Sequence, residues 1–354
     1  MTEDSGNLKL LVVYKDGSSC DYHRLITPFA DFPKGVDLRF IKYGDTFPEE
    51  YFDVDAVIVN RQFGGGITEL LRLRSKYGFK IVLDLDDYWR LPYNHYLHTT
   101  WKEFRTSESI IEHIQAADII WVTNYFLYEK VLEVRNDASV HIIRNAINFN
   151  IQQFQGKRGF KDITLPVNFC YATGASHKED LSLIGNLFKR LGDDGKWKRE
   201  GEFCLGGYEN HPIFEEKIKI ARFAKNISVT PILPLDEYMK FYEANDVSIA
   251  PLVSTEFNKG KSNLKFLEAG AAKMPFICSN VYPYRYDMGM HDKGIKLCDN
   301  VNEWYRAFKF FLENKAAIED YGEANYLEVM EQYNMRDVNI ERLQILNTLR
   351  KNGN

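Results

Sequence analysis

Short apolar runs alternate with segments of helical period along the whole chain, and each run has the length of a buried strand. In the first half, runs over 9–14, 38–41, 56–60, 80–85, 119–123 and 140–143 predict strands. Apolar positions recurring every three to four residues predict helices over 67–77, 107–117 and 125–134. The pattern lapses over 148–166, NFNIQQFQGKRGFKDITLP, which is polar and lacks a clear period. It resumes with strands over 168–171, 202–205, 227–230, 247–251, 276–279 and 295–297, and with helices over 178–191, 213–223, 235–244 and 262–273. The tail is helical, over 301–314, 316–332 and 336–350. Such alternation is the pattern of parallel α/β units, so the expected fold class is α/β with two doubly wound domains. The expected division is a first domain over 1–150, a linker over 151–166, a second domain over 167–330 and a C-terminal helix over 331–354. Two such sheets are expected to face across a cleft at the carboxyl ends of their strands, where ligands normally bind.

Composition narrows the class. A chain of 354 residues suits two domains of about 150–180 residues each. Apolar content of 45% and aromatic content of 14% support large cores rather than disorder. A net charge of −5 argues against a general polyanion binder. The five cysteines (Cys20, Cys170, Cys204, Cys278, Cys298) are odd in number, widely spaced and free of any CxxC pair. They read as buried thiols in a reducing compartment, with neither a disulfide frame nor a zinc site. The start, MTEDSGN, is too polar for a signal peptide, and no apolar run approaches a bilayer's thickness. A soluble cytoplasmic protein is expected, in the host cytoplasm if the source is viral.

The densest chemistry lies in PLVSTEFNKGKSNLKFLEAGAAKMPFICS, residues 251–279. It reads as a strand, a polar loop, a helix and a second strand. Ser262 is a suitable N-cap, leaving the N–H groups of Asn263, Leu264 and Lys265 directed at the loop. With Lys259, Lys261 and Lys265 around it, that helix end suits an anion, most plausibly a phosphate. Glu268 is the single acid in a helix of apolar and small residues, and a carboxylate there can accept two hydrogen bonds from a ribose diol. Together these features suggest a nucleotide, although an N-capped helix with exposed lysines is also an ordinary surface element.

Four places resemble the GT-B glycosyltransferases, in particular the retaining nucleotide-sugar group with two Rossmann-like domains. SNLKFLEAGAAKMPFICSN resembles the donor-binding helix and the strand after it. EYMKFYEANDVSIAPL is similar to the preceding helix–strand unit. IIWVTNYFLYEKV with VHIIRNAIN resembles the pair at the end of the first domain. TGASHKEDLSLI resembles the first strand-to-helix turn of the donor domain, where a basic residue meets the donor pyrophosphate. The openings DYHRLITPF, which carries Arg24, and DLDDYWRLPYNHYLH are similar to a bacterial and phage subgroup. Two departures stand out. The family's earlier glutamate, eight positions before Glu268, is replaced by Gly260, and its Arg–Lys couple is reduced to His177 and Lys178, with Thr173 where an arginine is expected.

The resemblance implies a donor site in which Ser262, Asn263, Lys261, Lys265 and Lys178 hold the diphosphate of a nucleoside diphosphate sugar, with a UDP-sugar favoured. Gly174 lies in the first turn, Glu268 takes the ribose, Gly207 and Tyr208 flank the base, and Gly17 admits close backbone approach. No cofactor beyond the donor, and no metal, is required. Asp84, Asp86 and Asp87 follow an apolar strand at D-x-D-like spacing. Strand alternation puts Asp84 and Asp86 on one side and Asp87 on the other, which favours Asp86 or Asp87 as an acceptor-orienting group over a metal site. His98 and His95, in the aromatic loop YWRLPYNHYLHTTW, are candidates to orient an acceptor hydroxyl or take its proton. Basic clusters over 157–161 and at Lys196, Lys198 and Arg199 leave open an anionic acceptor. The acceptor is therefore a sugar, a glycan or a modified nucleic acid, including hydroxymethylated bases of phage DNA. A catalytically degenerate nucleotide-binding or scaffold protein is the alternative reading.

Overall fold

A computed structural model describes residues 7–15, 17–46, 48–156, 164–286 and 294–349. Its contacts divide into two units. The first holds the described residues through Asn148, together with Gly260–Ser262 and those from Met335 onward; the second holds the rest.

The first unit is built on a six-stranded parallel sheet of order β2-β1-β3-β4-β5-β6. The strands are β1 (Leu8–Tyr14), β2 (Val36–Lys42), β3 (Ala56–Asn60), β4 (Lys80–Leu85), β5 (Ile119–Val122) and β6 (Val140–Ile142). Strands β3, β4 and β5 are covered on both faces, which is why each reads as an unbroken apolar run. The helix Met335–Asn347 packs on this sheet: Leu346 joins the core of Leu10, Val12, Ile58, Val82 and Trp121. Two bonds anchor it, from Asn339 Nδ2 to Pro28 O (2.6 Å) and from Met335 N–H to Ile147 O (2.9 Å).

The second unit is a parallel sheet of order β12-β11-β10-β7-β8-β9. Its strands are β7 (Val167–Ala172), β8 (Gly201–Tyr208), β9 (Ile227–Pro231), β10 (Val247–Ala250), β11 (Phe276–Ser279) and β12 (Ile295–Cys298). Phe169 stacks on Phe308 at 4.2 Å in its core, with Trp197 beside them. Among the described residues, no helix is long and apolar enough to cross a membrane. Cys170, Cys204, Cys278 and Cys298 are buried free thiols, and Cys20 is half-buried.

Each sheet reverses direction once. In the first unit the chain leaves β1 for β2 and returns on the other side to β3; in the second, β7 leads to β8 and β9 before β10 starts the opposite wing. Such switch points open a crevice past the carboxyl ends of the two central strands. The loops after β1 and β3, and those after β7 and β10, flank these crevices.

Several elements differ from the sequence reading. The helix expected over 178–191 is two, Lys178–Leu183 and Gly185–Asp193, broken at Ile184. Gly192 explains the close packing of the second piece, since a Cβ there would lie 2.1 Å from Phe223 O. The helix expected over 235–244 shortens to Met239–Glu243. The loop before Ser262 contains a helical turn, Glu256–Lys259. Arg24 lies where the helix opened by Ser19–Asp21 widens to π geometry over Tyr22–Ile26, a local form common at functional sites.

Candidate functional site

In the second unit, the turn after β7 is held by its carbonyls. Lys265 Nζ donates to Ala172 O at 2.6 Å and lies over the Tyr171 ring. Lys217 Nζ donates to Thr173 Oγ1 at 3.1 Å and to Gly174 O. Thr173 N–H donates to Gly206 O, and Gly207, at φ +80°, passes so close that a Cβ would lie 2.4 Å from Thr173 O. The left-handed backbone and that approach both demand glycine. Burial pushes the Lys217 ammonium down to about 7, helped by the charge of Lys265 and opposed by Asp180 and Glu209.

Lys217 escaped the sequence reading, yet the signal is present. In PIFEEKIKIA the buried positions are Phe214, Lys217, Ile218 and Ala221, a core stripe at helical spacing with a lysine in it. Lys178, by contrast, turns to Glu216 rather than to the turn. Tyr208 donates to Glu215 (3.0 Å), which fixes its ring against Phe214.

On the other side of the switch point, Asp180 organises the loop after β10. Its Oδ1 accepts from Val253 N–H (2.8 Å) and Asn258 Nδ2 (3.2 Å), and its Oδ2 lies 2.7 Å from His177 Nδ1. The helix that follows runs over Leu264–Ala271. Its N-cap is Asn263, not Ser262, and no side chain caps it. Ser262 instead accepts from Asn145 Nδ2 at 2.7 Å in the first unit, so the chain enters the helix one residue later than its sequence suggests. Asn263 is 3% exposed, and its Nδ2 has no hydrogen-bond partner. A buried amide donor left open at an uncapped helix start is a cost that an acceptor-rich ligand removes.

Glu268, one turn on, is 7% exposed, and its Oε2 accepts from Tyr242 OH at 2.6 Å. Tyr242 fixes the carboxylate's orientation, and burial together with the Glu268 charge holds that phenol protonated.

The first unit's switch point is lined by charge. Gly17 (φ +69°) donates its N–H to Asp21 Oδ2 at 3.2 Å. Arg24 is 1% exposed and grips Asp84 bidentately, with Nε to Oδ1 at 2.9 Å and Nη2 to Oδ2 at 2.7 Å, while Nη1 donates to Asn145 Oδ1 at 2.9 Å. Arg24, a candidate catalytic residue from its place in DYHRLITPF, is thus a fully buried, doubly paired guanidinium in this structure. β4 ends at Leu85, so strand alternation does not govern the carboxylates beyond it. Arg61 links Asp86 (Nε to Oδ1, 2.8 Å) to Asp87 (Nη2 to Oδ2, 2.8 Å), and Asn60 Nδ2 reaches both Asp84 and Asp86. Burial opposes the Asp86 charge, but Arg61 prevails and holds the carboxyl far below its ordinary range. Lys261 Nζ pairs with Asp87 Oδ1 at 2.9 Å, and its own carbonyl accepts from Asn124 Nδ2 at 2.9 Å.

Gly260 answers one departure from the resemblance. A Cβ there would lie 2.8 Å from Tyr88 Cβ and 2.9 Å from Tyr88 N, so this position has no room for a glutamate. In the aromatic loop, Tyr88 and Trp89 are buried, whereas Tyr93 is 87% exposed and Tyr96 is 45% exposed. His98 opens the short helix His98–Glu103 and is half-buried. His95 accepts from Leu97 N–H; burial, then the charge of Lys261, disfavours its protonated form. Lys196, Lys198 and Arg199 belong to a surface helix, Gly195–Glu200, and the cluster at 157–161 lies outside the described residues. Among the described residues, no group of three His, Cys, Asp or Glu could hold a metal ion.

The fold has clear counterparts among solved structures. Sucrose-phosphate synthase from Thermosynechococcus elongatus superposes with a TM-score of 0.70 at 13% identity, covering 97% of this chain and 99% of that one. Anabaena HepE, crystallised with UDP-glucose, gives 0.68 at 9% identity, covering 97% and 100%. A glycosyltransferase from Rickettsia africae gives 0.66 at 11% identity, covering 98% and 100%. No protein-family model and no curated protein matches the sequence. These neighbours are GT-B glycosyltransferases, and the chain has the GT-B fold.

Proposed function

We propose that this protein transfers a sugar from a nucleoside diphosphate sugar, a UDP-sugar, to an acceptor hydroxyl, with retention and without a metal. One observation carries the reading: the Leu264–Ala271 helix begins at a buried Asn263 whose Nδ2 is open, beside a switch point where Lys265 and Lys217 converge on the turn after β7. Amides at a helix start, an amide donor and two lysines offer what a diphosphate leaving group needs as its charge develops. Glu268, oriented by Tyr242, is the group for the ribose. HepE, with UDP-glucose bound, supports uridine as the base.

In the first unit, Asp86 and Asp87 are already engaged by Arg61 and Lys261. Carboxylates so neutralised suit orientation of an acceptor hydroxyl better than metal coordination. Asp87 is the more exposed of the two and takes that role. The acceptor is a hydroxyl of a sugar, a glycan or a modified nucleic acid.

Thermal shift with UDP, GDP, ADP and UDP-glucose tests the reading. UDP and UDP-glucose are expected to raise the Tm, and Glu268→Ala to weaken UDP by about 1–3 kcal/mol through lost charge-assisted bonds. A panel in which no nucleotide moves the Tm would end the donor assignment.

A further inference from the structure

Among the described residues, Arg61 is the one at the first unit's switch point that holds a strained backbone and two carboxylates at once. It follows β3 directly, at φ +58°, a left-handed conformation that is strained for a non-glycine residue. Its N–H donates to Asp84 O at 2.8 Å, which locks the turn against β4. From there the guanidinium spans Asp86 and Asp87 with two 2.8 Å bonds, and Nη2 also reaches Cys20 Sγ at 3.1 Å. A turn alone would be better served by glycine, since the left-handed region is strained for any L side chain. The side chain therefore has a use that offsets the strain.

Resting on the donor reading above, we infer that Arg61 is a positioning residue for the transfer: it clamps Asp86 and Asp87 side by side as carboxylates and presents Asp87 to the acceptor hydroxyl. Asp87 Oδ2 accepts from Arg61 Nη2 at 2.8 Å and from Lys261 Nζ at 3.2 Å, and the same Nζ lies 2.9 Å from Oδ1, so two charges hold the carboxylate. A carboxylate with both oxygens engaged still has lone pairs for one more donor, and the acceptor hydroxyl is that donor.

The groups around the clamp are Asp84 and Arg24 behind Asp86, Cys20 from the first helix, Lys261, and His95 with His98 from the aromatic loop. Burial, followed by the Asp86 charge, pushes the Cys20 thiol well up, so it contributes no charge near neutral pH. Arg24 and Arg61 likewise keep their charge there. Arg61 disfavours protonation of Asp86, and burial disfavours the protonated form of His95.

Two variants separate clamp from turn. Arg61→Gly keeps the left-handed backbone and removes the guanidinium; Arg61→Lys keeps a charge and removes the bridge. In the full-length protein, carboxyl 13C NMR is expected to show Asp86 titrating about one unit or more higher in Arg61→Gly than in wild type. With UDP-glucose and water as acceptor, Arg61→Gly is expected to lose about tenfold in kcat at pH 7, with KM nearly unchanged and the acid limb moved upward. Arg61→Lys should restore the acid limb but not the rate. An unchanged Asp86 titration in Arg61→Gly overturns the clamp, as does a wild-type rate and pH profile. If wild type neither binds nor hydrolyses UDP-glucose, the donor reading fails, and the carboxyl titration still decides the clamp.

Discussion

The two switch points present opposite chemistry on the same architecture. In the first unit the carboxyl ends of the strands carry Asp84, Asp86 and Asp87, each met by arginine or lysine, so charge is neutralised inside the protein. In the second unit Lys265 donates to Ala172 O, Lys217 donates to Gly174 O and Thr173 Oγ1, and Asn263 keeps an open donor. Carbonyls orient a lysine without cancelling its charge. One edge is thus internally satisfied, while the other is the one proposed above to take an anion. The same parallel sheet supplies both because its edge loops, not its strands, choose the partners.

Breaking the satisfied edge should have the largest effect. Arg24→Ala leaves Asp84 charged at 0% exposure with its bidentate partner gone, and should cost about 3–5 kcal/mol in urea unfolding. A cost near zero would mean that this edge is not held by its ion pairs. On the open edge the effect is smaller and depends on pH. The folded Lys217 loses its proton near 7, whereas its unfolded value is the ordinary 10.5. Between those values the unfolded chain binds a proton that the fold does not, so stability rises with pH across the window and is lost as pH falls through about 7. Lys217→Met removes this dependence. Urea midpoints at pH 7 and pH 9 should therefore shift in favour of wild type relative to the variant as pH rises, and parallel behaviour would place Lys217 in an ordinary solvated setting.

The central strands were legible in the sequence because strands covered on both faces must be apolar, and their runs end where turn residues begin. Helices were less so. Ile184 breaks a segment whose periodicity is continuous, and His98–Glu103 is too short to show a period. The Leu264–Ala271 helix was found, but its start was misplaced by one residue: Ser262 is a good cap in isolation, whereas in the fold Asn145, more than a hundred residues away in sequence, donates to its hydroxyl. Arg61 and Lys217 were missed for the same reason. A charged residue after a strand or on a helix reads as surface unless its long-range partners are known, although the apolar stripe around Lys217 was a usable sign. Asp86, Asp87 and Lys261 were singled out in the sequence as candidates, but their mutual pairing was not foreseen.

The contrast between the two edges rests on the second one accepting an anion. A crystal structure of the full chain with UDP tests this most directly. The diphosphate should lie at the start of the Leu264–Ala271 helix, within hydrogen-bond reach of Asn263 Nδ2 and Lys265 Nζ, with the ribose toward Glu268. UDP bound elsewhere, or a saturated crystal with that helix start still empty, would contradict the account.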